Sequence, residues 1–252
     1  MINNTEKVDS SKIAILIPSY NECNHIGEVI KKCSRFNLDI IVINDGSTDN
    51  TNEVVKELKT HFKDRLTVIN HNINKGKGEA LKTGFNHIIN NNYYGAITID
   101  ADGQHDPEEI QKFLDNIAVH NPDLIVGSRF NNTKGMPFIR RFVNYLTSWI
   151  ISGIAGRKIE DVQSGFRFLN QKVLKNIKLE TKNFDTEPEM LLRASWSGFS
   201  IRNIPIKTIY NLEEFKSHVN PVKDTIKFFK LVFTSIRWKR KTLREIKNKN
   251  HL

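Results

Sequence analysis

The stretch GAITIDADGQHDPEEI, residues 95–110, places an apolar strand directly before a polar loop and the start of a helix. We expect the strand over Gly95–Asp100 and the helix over Pro107–Val119, because proline and acidic residues favour the first helical turn. Strand, loop and helix in this order form the repeating unit of an open α/β sheet. The stretch therefore predicts that fold class and puts acidic side chains at the carboxyl end of a strand.

The same alternation of strand and helix extends over the first half of the chain. Apolar runs predict four more strands, and helical spacing of apolar residues predicts three more helices. The strands are expected at Lys12–Pro18, Asp39–Ile43, Leu66–Asn70 and Asp123–Gly127, and the helices at Glu22–Phe36, Asn50–Phe62 (capped by Thr48 or Asp49) and Gly78–Asn90. Apolar strands separated by helices indicate a Rossmann-like αβα sandwich with a mostly parallel central sheet.

The second half of the chain follows a less regular pattern. We expect helices at Phe138–Ala155 and Glu187–Trp196, strands at Ser164–Leu169 and Phe199–Ile206, and a basic amphipathic helix at Asp224–Arg240 with residues 245–252 frayed. No linker marks a domain boundary. We therefore expect a disordered N-terminus at 1–11, one domain over 12–220 and a basic C-terminal helix within 221–252.

The 252 residues carry a net charge of +10, most of it at the C-terminus. Residues 221–252 hold ten Lys and Arg residues against two acidic ones, so this tail is expected to meet an anionic surface of lipid or nucleic acid. Two cysteines, Cys23 and Cys33, cannot form a disulfide framework and favour a reducing compartment. No apolar stretch reaches the ~20 residues of a membrane-spanning helix, so no such helix is expected. The polar stretch Met1 to Ser11 lacks the apolar region of a signal peptide, so no signal peptide is expected either.

Each of four predicted strands is followed by a polar segment. These segments are residues 18–22, 44–49, 100–105 and 127–129, with the sequences PSYNE, NDGSTD, DADGQH and GSR. Open α/β sheets bind ligands beyond the carboxyl ends of their strands. The four segments are therefore expected to converge on one site.

Asp100 and Asp102 are the sharpest candidates within these segments. Two carboxylates beside the Gln104 amide oxygen suit a hard divalent cation, Mg²⁺ or Mn²⁺. Such a cation would bridge the phosphates of a nucleotide and neutralise a diphosphate leaving group. The alternative is a solvated acidic turn that caps the helix at Pro107. His105 lies in the same loop and is a further site candidate.

Other segments offer contacts to a base or to phosphate. Asp45 can accept hydrogen bonds from a base or ribose, or it can belong to a turn with a helix cap. The glycines and lysines of residues 74–78 (NKGKG) precede a helix, where they face phosphate or form an ordinary loop. Arg129, Arg140 and Arg141 have guanidinium forks that match phosphate oxygens, or they are surface residues. The remaining histidines of the helices and loops are expected to be structural or exposed: His25, His61, His71, His87 and His120.

Together these motifs resemble family 2 glycosyltransferases with the glycosyltransferase A fold. Within that family they are most similar to the dolichol-phosphate mannose synthase group and its polyprenyl-phosphate glucosyltransferase relatives. The matching stretches run in order: IPSYNE (17–22), VINDGSTDNT (42–51), NKGKGEAL (74–81), IDADGQHDPEEI (99–110), GSRF (127–130), DVQSGFR (161–167) and SHVNP (217–221). IDADGQHDPEEI and DVQSGFR are the specific ones, whereas IPSYNE and NDGS are shared by the wider family.

The resemblance implies an inverting, metal-dependent enzyme that transfers mannose or glucose from a GDP- or UDP-sugar to a polyprenyl or dolichyl phosphate. It implies a nucleotide-sugar pocket of Pro18, Tyr20, Glu22, Asp45, Lys77, Asp100 and Asp102, with Mg²⁺ or Mn²⁺ on Asp100, Asp102 and Gln104. Acceptor or phosphate contacts would come from Arg129, Arg141, Ser164, Arg167, Ser217 and His218, sugar contacts from Glu187 or Glu189, and catalytic roles from Asp102, Asp161 and Arg129. His218 departs from the Arg or Lys that relatives often carry, and a neutral imidazole grips diphosphate less firmly.

The acceptor and the membrane contact leave alternatives open. A phosphate acceptor is already anionic near neutral pH, whereas a glycan or other hydroxyl acceptor would need a general base such as Asp161. The helices at Phe138–Ala155 and Asp224–Arg240 are expected to bind the cytosolic face of a membrane peripherally, or they pack on the domain or in a homo-oligomer. A nucleic-acid-binding module is the third alternative, but no nucleic-acid motif is present, so no such partner is expected.

Overall fold

The computed structural model describes residues 12–130, 138–183, 185–209 and 221–249, without the side chains of 139–140, 221–230 and 248–249. The strands are β1 (Ile13–Ser19), β2 (Asp39–Asn44), β3 (Leu66–Asn70), β4 (Gly95–Thr98), β5 (Leu124–Ser128), β6 (Arg167–Asn170) and β7 (Ile201–Pro205). The helices are α1 (Ile26–Cys33), α2 (Thr51–Phe62), α3 (Lys77–Asn90), α4 (Ile110–His120), α5 (Phe138–Ala155), α6 (Gln171–Asn176), α7 (Thr186–Trp196) and α8 (Pro221–Lys249). The predicted N-terminal segment 1–11 and the predicted phosphate contacts Ser217 and His218 lie outside the described residues.

The seven strands form one sheet in the order β3-β2-β1-β4-β6-β5-β7. Every neighbouring pair is parallel except the two that include β6, which runs antiparallel to β4 and β5. The register pairs Arg167, the first residue of β6, with Thr98 and Val126. Because β6 runs opposite to its neighbours, its first residues lie at the edge where the other strands end. The predicted mostly parallel sheet is confirmed, and the reversed strand within it was not predicted.

Side-chain alternation along β1 supplies a core on each face of the sheet. Ala14 and Leu16 belong to one core, which α3, α5, α6, α7 and α8 cover. Ile13, Ile15 and Ile17 belong to the other core, which α1, α2 and α4 cover. Helices on both faces of one sheet give the three-layer arrangement that the sequence predicts.

Several element boundaries differ from the prediction. The backbone N–H groups of His25 and Ile26 both donate to the Glu22 carbonyl (3.0 and 2.9 Å), so a turn precedes α1 and the helix begins at Ile26. The strand expected from Ser164 begins only at Arg167, after a turn in which the N–H of Ser164 donates to the carbonyl of Asp161 (3.4 Å). The short helix α6 was not predicted, although its cap, Asn170, is a typical N-cap residue.

Helix α8 is longer than predicted and packs on α7. The expected end at Arg240 is wrong, and so is the expected fraying over 245–249, because the helix continues to Lys249. Residues 250–252, also expected to be frayed, lie outside the described residues. Leu231, Ser235, Trp238 and Thr242 are buried and lie at helical spacing along the inner face. None of the described helices has the length and apolar character needed to cross a membrane.

Candidate active site

The ends of β1 and β2 are joined by hydrogen bonds between the segments that follow them. The N–H of Asp45 donates to the Ser19 carbonyl at 2.8 Å. The N–H of Asn21 donates to Ser47 Oγ at 3.0 Å, and the N–H of Glu22 donates to Thr51 Oγ1 at 2.8 Å. These bonds fix the first two predicted site segments against each other.

Glu22 is the point at which a third segment, residues 100–105, meets the first two. Burial raises the pKa of Glu22 to about 7, together with the negative charges of Asp102, Asp100 and Asp49. Charges shift a neighbour's pKa strongly only over a few ångströms. The structure therefore brings Glu22 close to these carboxylates, and the buried Pro18 and the exposed Tyr20 lie in the same segment as Glu22.

The loop that contains Asp102 is a tight turn. Gly103 has a φ of +71°, and Asp102 Oδ1 accepts a hydrogen bond from the N–H of Gln104 at 3.0 Å. The next helical turn is capped by Asp106, whose Oδ1 accepts from the N–H of Glu108 at 3.2 Å. Because Asp106 performs the capping that was the alternative role of Asp100 and Asp102, that alternative loses its main support.

Lys77 bridges two carboxylates at the centre of the site. Its Nζ lies 2.7 Å from Asp100 Oδ1 and 2.9 Å from Glu187 Oε1. Burial would lower the pKa of Lys77, but the charges of Asp100 and Glu187 outweigh it and raise the pKa. A Cβ at Gly165 would collide with the carboxylate of Asp100, so the glycine of DVQSGFR is needed for this close approach. Lys77 and Glu187 are thus brought to the predicted site.

Arg129 and Asp161 form a buried bidentate ion pair. Arg129 Nε donates to Asp161 Oδ2 at 2.7 Å, and Arg129 Nη2 donates to Asp161 Oδ1 at 2.8 Å. Burial would raise the pKa of Asp161, but the charge and hydrogen bonds of Arg129 lower it below its usual range. A carboxylate held in this way is a weak base. Arg167, also predicted to bind phosphate, is buried and donates to the carbonyls of Glu187 (3.1 Å) and Val162 (2.6 Å).

His105 is buried next to Asp100, and its Nε2 lies 3.8 Å from Asp100 Oδ2. Burial lowers the pKa of His105 to about 4, helped by the positive charges of Arg129 and Lys77, so the imidazole is neutral at physiological pH. Among the residues that the structure describes, several buried polar atoms at this edge of the sheet lack a hydrogen-bond partner: Ser19 Oγ, His105 Nδ1, Ser128 Oγ and Arg167 Nε. Unpartnered buried polar atoms are rare, and their concentration here is consistent with a ligand site.

The carboxylate of Asp45 anchors the loop before α3. It accepts hydrogen bonds from the N–H groups of Lys75 (3.0 Å) and Gly76 (2.8 Å) and pairs with His71 Nδ1 at 2.6 Å. His71 Nε2 in turn lies 2.9 Å from Thr83 Oγ1, so its role is structural, as expected. The contact between Asp45 and a base or ribose stays a prediction.

The remaining predicted residues take different positions. Glu189 is fully buried, and its oxygens bind backbone N–H groups of Glu180 and Thr181, which gives it a structural role instead of the predicted sugar contact. Ser164 is buried and accepts a hydrogen bond from the N–H of Phe166 at 3.3 Å. Arg141 is exposed on α5.

The carboxylate oxygens of Asp100 and Asp102 suit a divalent cation, although they do not complete its coordination sphere. Within the described ranges, no three His, Cys, Asp or Glu side chains are gathered tightly enough to enclose a metal ion. The oxygens of Asp100 and Asp102 are nevertheless the hard ligands that Mg²⁺ and Mn²⁺ prefer. Burial and then the neighbouring carboxylates Asp102, Asp100 and Asp49 raise the pKa of Glu22, and a cation between the carboxylates would offset their charges. The phosphates of a nucleotide would supply the missing ligands.

We expect the stability of the metal-free protein to fall as the pH rises through the titration of Glu22. An acid with a raised folded pKa holds its proton more tightly when folded, so stability is lost between the ordinary value of 4.5 and about 7. Allowing for solvent at this half-buried side chain, the wild type should lose about 1–2 kcal/mol more than Glu22→Gln between about pH 5 and pH 8. Urea unfolding in EDTA measures both.

Glu28→Gln is the matched control for this measurement. Glu28 is an exposed glutamate on α1 whose carboxylate pairs with Lys31 at 3.3 Å. Its replacement should leave the pH dependence of unfolding unchanged, because an exposed pair contributes little. Parallel curves for wild type and Glu22→Gln would contradict the raised pKa of Glu22.

The family model for glycosyl transferase family 2 matches residues 14–178, which include all four site segments. A UDP-N-acetylglucosamine–dolichyl-phosphate N-acetylglucosaminyltransferase from Methanococcus voltae is 35% identical over 215 residues, covering 79% of this chain and 86% of that relative. A polyprenol monophosphomannose synthase from Mycolicibacterium smegmatis is 29% identical over 207 residues, covering 78% of this chain and 77% of the relative.

Solved structures share the fold at low sequence identity. Glucosyl-3-phosphoglycerate synthase from Mycobacterium tuberculosis superposes with a TM-score of 0.65 at 15% identity, covering 91% of this chain and 80% of that one. A mannosyltransferase from Pyrobaculum calidifontis, solved with GDP-Man and Mn²⁺, superposes with a TM-score of 0.56 at 16% identity, covering 82% of this chain and 58% of that one. These likenesses confirm the predicted glycosyltransferase A fold.

Proposed function

The chain belongs to glycosyl transferase family 2, and we propose that it transfers a hexose from a nucleoside-diphosphate sugar to the phosphate of a polyprenyl or dolichyl lipid. The names of the two relatives support this acceptor class, since one acts on dolichyl phosphate and the other makes a polyprenol monophosphomannose. The observation that carries the donor half of the proposal is the meeting of Glu22, which follows β1, with Asp100 and Asp102, which follow β4.

Asp100 and Asp102 would hold Mg²⁺ or Mn²⁺, with Gln104 in the same turn. The cation would neutralise the charge that builds on the nucleoside diphosphate as it leaves. The Mn²⁺ in the mannosyltransferase from Pyrobaculum calidifontis supports a metal in a fold of this kind. The chain's own task is to hold the donor in line with the acceptor and to keep water from the sugar.

The state of Asp161 favours a phosphate acceptor over a hydroxyl acceptor. A hydroxyl must lose a proton as it attacks, so the enzyme would need a base near its operating pH. Asp161, the candidate for that base, is bound at both oxygens by Arg129 and has a lowered pKa. A phosphate monoester is already anionic and attacks without such a base. Direct attack on the anomeric carbon, with departure of the diphosphate, inverts that carbon.

A lipid acceptor requires contact with a membrane surface, and α5 offers one. Phe138, Phe142, Tyr145 and Trp149 are 57–80% exposed and lie on one face of α5 at helical spacing. Helix α8 adds the exposed Phe233 and a row of exposed cations: Arg237, Lys239, Arg240, Lys241, Arg244 and Lys247. Aromatic side chains beside cations favour an interface with anionic lipid. We assign this surface to the cytosolic leaflet, in keeping with the free Cys23 and Cys33.

The sugar is the finer part of the proposal. The resemblance to the dolichol-phosphate mannose synthase group implies mannose or glucose, and the relative from Methanococcus voltae adds N-acetylglucosamine to the donors worth testing. The test incubates the purified chain with Mn²⁺, vesicles that contain a short polyprenyl phosphate, and GDP-mannose, UDP-glucose or UDP-N-acetylglucosamine in turn. Lipid-linked sugar from one donor is the expected result.

The other outcomes of this assay separate the alternatives. Transfer to a soluble glycan or alcohol, with no lipid-linked product, would replace the lipid acceptor by a hydroxyl acceptor. No turnover of any donor, together with no metal-dependent nucleotide binding, would overturn the proposed donor site as well.

A variant pair tests the membrane surface in the same assay. Phe142→Ser with Trp149→Ser should lower transfer to vesicle-borne acceptor at least about thirtyfold, because each aromatic side chain buried in the interface contributes about 1–2 kcal/mol and the two together about 2–4 kcal/mol. Transfer to a water-soluble isoprenyl phosphate should be unchanged. Val119→Ser is the control, since Val119 is 73% exposed on α4, and this helix covers the opposite face of the sheet. Equal losses on both acceptors would remove α5 from the membrane surface.

A further inference from the structure

The start of α3, which carries Lys77, is docked on the segment before α7. The N–H groups of Gly78 and Glu79 both donate to the carbonyl of Lys182, at 2.8 and 3.3 Å. A Cβ at Gly78 would collide with Thr186 Oγ1 and lie 2.7 Å from the carbonyl carbon of Lys182. The position of Lys77 is therefore set by the position of residues 180–183.

Glu189 holds this segment from within the core. Its oxygens accept hydrogen bonds from the N–H of Glu180 (3.0 Å) and from the N–H and hydroxyl of Thr181 (2.9 and 2.8 Å). The carboxylate is fully buried and pairs with Arg193 Nε at 2.7 Å. Breaking a buried pair of this kind is costly, so the segment is held firmly.

Arg193 extends the connection to α8. Arg193 Nη2 donates to Glu180 Oε1 at 2.9 Å and Arg193 Nη1 donates to Thr242 Oγ1 at 3.3 Å, while the guanidinium lies 5.9 Å from the centre of the Trp238 ring. Lys241 Nζ also binds Glu180 Oε1, at 2.6 Å. A continuous series of contacts therefore connects α8 with Lys77 and Asp100.

We propose that Glu189 and Arg193 are positioning residues that hold Lys77 against Asp100, and that α8 belongs to this unit through Lys241 and Thr242. A helix that presents its outer face to lipid is then part of the machinery that sets the donor site. The proposal rests on the proposed role of Asp100 in the donor site but not on the identity of the acceptor. It predicts that loosening α8 changes the surroundings of Lys77 without any change to a residue of the site.

The test compares two double variants. Lys241→Gln with Thr242→Val removes both polar contacts between α8 and the Glu180–Arg193 pair. Lys56→Gln with Thr60→Val makes the same two replacements at exposed positions of α2, on the opposite face of the sheet, and serves as the control. The readout is the rate at which an amine-reactive reagent modifies Lys77, measured by peptide mass spectrometry with the other lysines as internal references. A second readout is the turnover of the donor with a water-soluble isoprenyl phosphate.

We expect the first variant to raise the modification rate of Lys77 about three- to tenfold and to lower donor turnover by a similar factor. The control should change neither, and the other lysines should react as in the wild type. Glu189→Gln, which keeps the shape of the side chain, should act in the same direction as the first variant. An unchanged Lys77 rate in the first variant, or an equal rise in the control, would overturn the proposal. Because modification of Lys77 is measured without any substrate, failure of the proposed function would leave this readout intact.

Discussion

Replacing Asp102 by alanine is expected to lower sugar transfer about a thousandfold while leaving the protein folded. A loss of this size corresponds to ~4 kcal/mol of transition-state stabilisation, in the range of other single electrostatic groups in active sites. Asp102 lies in the tight turn after β4, at the edge of the sheet, where its Oδ1 accepts a hydrogen bond from the backbone N–H of Gln104. Its removal should therefore cost far more activity than stability. Steady-state kinetics and thermal unfolding measure the two effects.

Removing Asp102 should also lower the pKa of Glu22. After burial, the electrostatic repulsion from Asp102 is the largest cause of the raised pKa. This second readout needs no substrate and tests the geometry by itself. Asp106→Ala is the matched control in the same loop. It loses a cap to the N–H of Glu108, so it should cost about 1 kcal/mol of stability and little activity. Activity of Asp102→Ala within tenfold of the wild type would remove Asp102 from the reaction.

The strand ends of the site could be predicted because they depend on local sequence. Apolar runs of strand length alternate with helical spacing, and parallel strands point their carboxyl ends to one edge. Ala14 and Leu16 face one core and Ile15 and Ile17 the other, so the strand register follows from the pattern. Asp100 and Asp102 were located by this reasoning alone. Ligand chemistry suggested a divalent cation and a diphosphate for them, and the resemblance added a nucleotide sugar as the ligand.

What the sequence could not predict depends on contacts between distant parts of the chain. Arg129 and Asp161 are 32 positions apart, and their pairing requires that β6 enter the sheet in reverse between β4 and β5. Short strands such as Arg167–Asn170 carry no signal for direction. The sequence could not choose between Glu187 and Glu189 as the sugar contact, because they lie only two positions apart on α7. In the structure Glu187 pairs with Lys77, whereas Glu189 lies in the core and pairs with Arg193. Helical spacing would have suggested the pair of Glu189 and Arg193 as an i, i+4 contact.

Asp161→Ala is expected to destabilise the protein by about 3–5 kcal/mol, the second large effect that we predict. The substitution leaves the guanidinium of Arg129 buried without the two oxygens that bind it at 2.7 and 2.8 Å. Asp161 is 1% exposed and Arg129 is 5% exposed, so the guanidinium stays shielded from bulk water when its partner is removed. The lowered pKa of Asp161 also shows that the charged carboxylate stabilises the folded protein. This contribution to stability is present above the ordinary pKa of the carboxyl group and is lost as the pH falls below it. Urea unfolding near neutral pH measures the loss.

Two further variants separate the buried charge from the shape of the site. Glu160→Gln, at the neighbouring position, breaks an ion pair with Lys158 that is largely in solvent and should cost less than about 1 kcal/mol. Arg129→Met with Asp161→Leu removes both charges, so much of the stability lost in Asp161→Ala should return, because apolar pairs can replace a buried ion pair. Transfer should stay low in this double variant if the ion pair orients groups at the reacting phosphates. A stable double variant with wild-type transfer would restrict Arg129 and Asp161 to folding and would leave Lys77, Asp100 and Asp102 as the charges that act on the donor.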